Sequence, residues 1–209
     1  FAVSILSQHF YESDLSRDFV RGYQMQLIRS DGPVGTAVGG YLPRVPWGAS
    51  HHERFRDTFG HTASLTVTTE DLPRMENRVT LSDHLIDSDG IPAPKMTYCL
   101  DENTKKMIAH GIERATEAFS EAGVVDTASQ SLVADAGFHL LGTACMGADR
   151  STSVTDKNNR AHSVPNLLIL DGSVFTTAGA LNPTSTIQAL ALRAADLLIR
   201  DKTEMKVAT

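Results

Sequence analysis

Residues 166–200 read NLLILDGSVFTTAGALNPTSTIQALALRAADLLIR, and this stretch decides how the chain is built. The run 166–170 is apolar and closes on Asp171-Gly172, the pattern of a short strand buried on both faces and ended by a turn. A loop of small residues follows. After Asn182-Pro183-Thr184-Ser185, the residues Ile187, Leu190, Ala191, Ala194, Leu197 and Leu198 recur three and four apart, so they share one face of a helix. Ser185 with Gln188 makes a candidate capping box. A helix start gathers unpaired N–H groups and partial positive charge and so favours an electron-rich ligand, although the same arrangement also serves structure alone. One strand and one helix cannot build a parallel sheet. The 167–170 strand therefore needs neighbours from elsewhere, and the apolar helix face needs a sheet to cover it.

Working outward, the chain has 209 residues, enough for one or two domains with a sizeable core. It is 41% hydrophobic and 21% charged with a formal net charge of −6. A mildly acidic balance without a dense basic run gives no support for nucleic-acid or anionic-membrane partners. No apolar stretch approaches the roughly 18 residues of a membrane helix. Cys99 and Cys145 have neither CxxC spacing nor metal-type neighbours and read as packing residues. Nothing here fixes a compartment. The sequence begins at Phe1 rather than Met, so a leader, had there been one, would lie outside it.

The first 135 residues read as an antiparallel sheet with a helix on one face, an α+β arrangement. Tyr23, Met25 and Leu27 alternate in a strand at 23–28, with Ser30-Asp31-Gly32-Pro33 as the turn after it. Residues 35–59 are rich in Gly, Pro and His without a period and read as a long surface loop. Strands follow at 63–69, 78–82 and 95–100, the last two joined as a hairpin through Asp87-Ser88-Asp89-Gly90. Asp101 opens a helix running to about 122, with Met107, Ile108, Ile112, Ala115 and Phe119 on one face and Gly123 as its stop. No repeat or low-complexity tract is visible.

The segments His139-Leu-Leu-Gly142-Thr143-Ala-Cys145-Met146-Gly147, Ser153-Val-Thr-Asp156, Val164-Pro165-Asn166-Leu167, Asp171-Gly172-Ser173 and Asn182-Pro183-Thr184 occur in this order. Together they resemble the C-terminal signature of the glucose-methanol-choline (GMC) flavin oxidoreductases. Upstream, Glu76-Asn77-Arg78-Val79-Thr80-Leu81-Ser82 and Asp89-Gly90-Ile91-Pro92-Ala93-Pro94 resemble the family's substrate-domain hairpin. The resemblance implies an FAD cofactor, held in these enzymes by an N-terminal glycine-rich βαβ unit. No GxGxxG occurs here, so it further implies that the chain is the C-terminal portion of a longer enzyme. Residues 1–137 would form the substrate-binding domain. Residues 138–209 would form the catalytic loop and the strand and helix that complete a Rossmann-like FAD domain. The missing FAD-binding portion, on the same polypeptide or a separate chain, is then a required partner.

Hydride transfer from an alcohol to a flavin needs a base within hydrogen-bond reach of the hydroxyl, and an imidazole, titrating near neutrality, suits the task. His139 matches the family's active-site histidine; without that context it reads as a histidine bonded inside a loop. Asn182 matches the second active-site position, where an uncharged amide can donate to the substrate oxygen and orient it, or else it is a residue leading into the helix. Asp171, Gly172, Asn182, Pro183 and Thr184 resemble the family's C-terminal flavin contacts. Gly172 would allow close backbone approach, and N–H groups from Thr184 onward would face the flavin N1–C2=O edge, Pro183 having none. As bare sequence, Asp171-Gly172 is an ordinary strand-end turn.

His51, His52 and His61 match no common metal-ligand spacing, and no metal is expected. His84, His110 and His162 have no motif context. Ser, His and Asp residues are present, but no GxSxG elbow supports a hydrolase. The expectation is FAD-dependent oxidation of an alcohol group, on a sugar or polyol, because 142–147 with Asn182-Pro183-Thr184 is most similar to sugar dehydrogenases and pyranose oxidase-like members. The alternative is a non-catalytic sugar- or protein-binding fragment or paralogue, favoured by the missing dinucleotide fingerprint.

Overall fold

In the computed structural model, which describes residues 4–29, 31–39, 45–133 and 137–207, the alternating segments become strands. β1 (Ile5–Ser7), β2 (Tyr23–Arg29) and β3 (Ala63–Thr69) form an antiparallel sheet in that order. The opening residues carry no period of their own; β1 is held by pairing, with Ile5 opposite Leu27. Met25 lies opposite Val67 and Leu27 opposite Leu65. Side chains alternate across a strand, so this register puts Tyr23, Met25, Leu65 and Val67 on one face.

Between β2 and β3 the expected irregular loop contains α1 (Pro33–Val38) and α2 (His51–Thr58). Both are short, and their stabilising features are local. Pro33 presets the first turn of α1, and the rings of Phe55 and Phe59 stack at 5.3 Å along α2. Helices of six and eight residues leave too little periodicity to stand out in a Gly- and His-rich stretch. Of the expected turn at 30–33, Ser30 lies outside the described residues.

The hairpin consists of β4 (Arg78–Ile86) and β5 (Pro92–Thr97). Its turn is held by Asp87, whose Oδ1 accepts the N–H groups of Asp89 and Ile91 at 2.9 Å. The second strand was expected at 95–100 and lies earlier, because β4 continues to Ile86 and pairs there with Pro92. The register shifts between Leu81 and Ile86, so the alternation does not run through unbroken. Tyr98 leaves the ladder and donates its hydroxyl to the carboxylate of Asp71.

α3 (Glu102–Glu121) buries Thr104, Met107, Gly111 and Ala115. It lies on the β2–β3 sheet so closely that a side-chain carbon at Gly111 would stand 2.5 Å from Val67 Cγ1. Phe19, Tyr23, Met25, Met107 and Ala115 form the core there. Full burial of a side chain such as Met107 contributes roughly 1.5–3 kcal/mol. The helix ends at Gly123, φ 76°, with N–H bonds from Gly123 to Ser120 and from Val124 to Phe119 at 3.0 Å, a Schellman stop.

The chain divides into two compact units, residues 1–70 with 102–137 and residues 71–101 with 138–209. The second unit ends in α4 (Thr184–Val207), on which Ala194 is buried and Ile187, Leu190, Ala191, Leu197 and Leu198 are partly shielded, as the spacing predicts. α4 starts earlier than a Ser185 cap requires: Ile187 N–H donates to the Pro183 carbonyl at 3.0 Å, which places Ser185 inside the first turn.

Residues 167–170 form no regular strand. Leu168 makes one isolated antiparallel bridge to Arg160, and Leu167 and Leu170 are 46% and 40% exposed. A strand exists through its ladder. Among the described residues the segment bonds to 159–161 on one edge and, through Leu167 N–H, to the Val164 carbonyl at 2.9 Å, and it shows neither the parallel pairing nor the burial on both faces expected of it. The architecture is α+β, with antiparallel sheets and helices.

Candidate functional site

Two segments of the second unit carry the residues that matter, and backbone bonds join them. The N–H groups of Gly142, Ala144 and Met146 donate to the carbonyls of Gly172, Ser173 and Val174 at 3.2, 2.8 and 2.9 Å. Gly172–Val174 is a single 3-10 turn capped by Asp171, whose Oδ1 accepts Ser173 N–H at 2.8 Å. The Ser173 hydroxyl and amide hold the Asp171 carboxyl below the usual range, so it is a carboxylate at neutral pH.

Gly172 is the point of closest packing. A side-chain carbon there would meet Leu141 Cδ2 at 2.6 Å, the Leu140 carbonyl at 3.1 Å and Ile187 Cδ1 at 3.4 Å. The residues just after His139 and the first turn of α4 thus converge on it. On the side where a side chain would stand, the chain's own atoms account for the glycine.

The other expected site residues lie one to five positions along the chain from Leu140 and Ile187. His139 is exposed, and its ring makes no hydrogen bond among the described residues. Asn182, also exposed, lies just ahead of α4, and Pro183 supplies the first helical acceptor. The N–H groups of Thr184, Ser185 and Thr186 precede that bond, and all three residues are exposed. Among the described residues these N–H groups have no hydrogen-bond partner, and helix-start donors of this kind suit an electron-rich group. The structure therefore gathers the 139–142 loop, Asp171, Gly172 and the α4 start. Among the described residues it forms no hydrogen bond between the side chains of His139 and Asn182.

Three further histidines have definite partners. His110 Nδ1 lies 2.7 Å from the buried Tyr23 hydroxyl; burial, then Arg114 and Arg17, push the imidazole down, and burial raises Tyr23 to about 12. His162 Nε2 lies 3.0 Å from Ser153 Oγ, a contact made by a loop return and invisible in sequence order. His51 stacks on Trp47 at 4.5 Å and meets the Pro46 carbonyl at 3.2 Å. Among the described residues no three His, Cys, Asp or Glu side chains form a metal-holding group. Cys145 is partly buried, but Cys99 is exposed and is not a packing residue; its backbone is held on both sides by the Asn77 amide, at 2.9 and 3.1 Å. No helix among the described residues is long and apolar enough to cross a membrane.

A family profile described as GMC oxidoreductase matches residues 73–191, more than half of the chain. The chain belongs to the GMC oxidoreductase family. The matched span of this GMC chain includes His139, Asp171, Gly172, Asn182, Pro183 and Thr184. It is 42% identical over 202 residues to the 2-methyl-1,2-propanediol dehydrogenase of Mycolicibacterium austroafricanum, covering 96% of the chain and 37% of that protein. It is 39% identical over 132 residues to the paromamine 6'-oxidase of Streptomyces fradiae, covering 63% and 24%. With the fructose dehydrogenase large subunit of Gluconobacter japonicus it shares 32% over 149 residues, covering 71% and 27%. The chain thus spans between about a quarter and a little over a third of the length of these relatives.

Proposed function

We propose that the protein to which this chain belongs is an FAD-dependent oxidoreductase that oxidises an alcohol group of a polyol or sugar. The relatives named for 2-methyl-1,2-propanediol, paromamine and fructose support small polyols or sugars as the substrate class. Residues 138–209 would complete a Rossmann-like FAD domain, the strand edge at 167–170 and the exposed side of α4 meeting parts of the enzyme outside this chain.

The donor set at the site fits the cofactor. Thr184, Ser185 and Thr186 present exposed helix-start N–H groups that would face the electron-rich edge of the flavin ring, and Asp171 retains a carboxylate oxygen to accept from a cofactor hydroxyl. Flavin supplies the hydride acceptor, N5. His139 would accept the alcohol's proton as its C–H bond breaks, and Asn182, uncharged, would donate to the alcohol oxygen and orient it. The observation that carries this reading is the convergence of the His139 loop and the α4 start on Gly172, inside the span that matches the family.

The test is an absorbance spectrum of the purified full-length protein. Flavin bands that bleach when a diol or sugar is added without oxygen are the expected outcome. A colourless protein that cannot be reconstituted with FAD would sink the proposal and favour the non-catalytic binding paralogue.

A further inference from the structure

The segment 142–147, which begins three residues after His139, is held on two sides. On one side lie the carbonyls of the 172–174 turn. On the other, Cys145 carbonyl accepts Val154 N–H at 2.9 Å, Gly147 N–H donates to Thr155 carbonyl at 2.8 Å, and His162 Nε2 reaches the Gly147 carbonyl at 3.2 Å. The same Nε2 lies 3.0 Å from Ser153 Oγ, which itself lies 2.6 Å from the Asp149 carbonyl.

These four atoms admit one assignment of hydrogens. A carbonyl only accepts, so the Ser153 hydroxyl donates to Asp149 and Nε2 must carry a hydrogen towards Gly147. That N–H is shared between the Gly147 carbonyl and Ser153 Oγ. The reverse arrangement would set two pairs of lone pairs against each other at 2.6 and 3.2 Å. Although Ser153 and His162 stand within hydrogen-bond distance, this is not a nucleophile and its base, because the nitrogen facing the hydroxyl is a donor. The ring is fixed further by its own backbone, His162 N–H donating to the Val154 carbonyl at 3.0 Å. Gly147 fits the arrangement through its lack of a side chain: a carbon there would stand 2.8 Å from Ser153 Cβ.

We propose that His162 and Ser153 are positioning residues. They clamp the Gly147 carbonyl and, through the bonded segment 142–147, set where the loop carrying His139 stands. The inference rests on the reading of His139 as the base. Positioning errors of an ångström weaken chemistry far more than binding, so removing the clamp should act on kcat.

The experiment compares His162→Ala, His162→Gln and His162→Asn in the full-length holoenzyme. A glutamine amide can place its NH2 where Nε2 stands and donate to both oxygens, whereas an asparagine amide is too short. For His162→Ala we expect flavin reduction slowed roughly 10- to 100-fold, with unchanged KM and flavin content. Amide hydrogen exchange at Met146 and Gly147 should be faster. His162→Gln should restore both rate and protection, and His162→Asn neither. Parental rate and exchange in His162→Ala would overturn the proposal. So would loss of flavin or of folding in both the alanine and glutamine variants, since that is a structural role without positioning. A parent enzyme that no alcohol reduces would overturn the reading of His139, while exchange at Met146 and Gly147 would still decide whether the clamp exists.

Discussion

Gly172 shows how narrowly single residues are constrained here. Alanine there would bring a carbon to 3.1 Å from the Leu140 backbone as well as 2.6 Å from Leu141 Cδ2, and the backbone contact cannot be relieved by a rotamer change. In the full-length protein Gly172→Ala should therefore destabilise by roughly 1–3 kcal/mol, read as a lowered denaturation midpoint. At His110 the consequence is a pH dependence. Its folded value lies below the ordinary one because of burial, then Arg114 and Arg17, so the unfolded chain binds the proton first. Stability is complete above about pH 6.5 and falls as pH drops from there through the lowered folded value. His110→Phe should flatten that slope in melts taken across the range. The hydrogen-bond partner of this histidine is not visible among its neighbours in sequence, since Tyr23 lies 87 positions away. His139 and Asn182, in contrast, stand in local motifs that resemble those of the family, and their roles are proposals drawn from that resemblance.

Among the elements, long periodic segments were legible and short or unpaired ones were not. β3 and α3 announce themselves because Leu65, Val67, Met107 and Ala115 recur at the period of one buried face. α1 and α2 lack enough turns to show a stripe, and β1 depends on its pairing to β2. The apolar run at 167–170 has strand composition without, inside this chain, a ladder to join. The 3-10 turn at 172–174 depends on its cap. Asp171→Ala should cost roughly 0.5–2 kcal/mol at neutral pH. Because Ser173 holds the carboxyl below its ordinary value, that stability is present above about pH 4 and is lost as pH falls through the lowered value. The denaturation midpoints of parent and variant should accordingly converge in acid.

For the whole molecule, the exposed apolar side chains matter most. Leu192 and Ile199 on α4 are 70% and 63% exposed, and Leu140 beside His139 is 74% exposed. Apolar exposure at these positions is in keeping with a chain that spans 37% of the Mycolicibacterium dehydrogenase. Residues 1–209 expressed alone should bind a hydrophobic dye and melt without cooperativity; a sharply melting, dye-free monomer would contradict this. The central claim is that His139 takes the alcohol's proton, and rapid anaerobic mixing of the full-length flavoenzyme with its alcohol tests it most directly. His139→Ala, with its flavin retained, should show flavin reduction slowed roughly 10²–10⁴-fold; reduction at the parental rate would contradict the account.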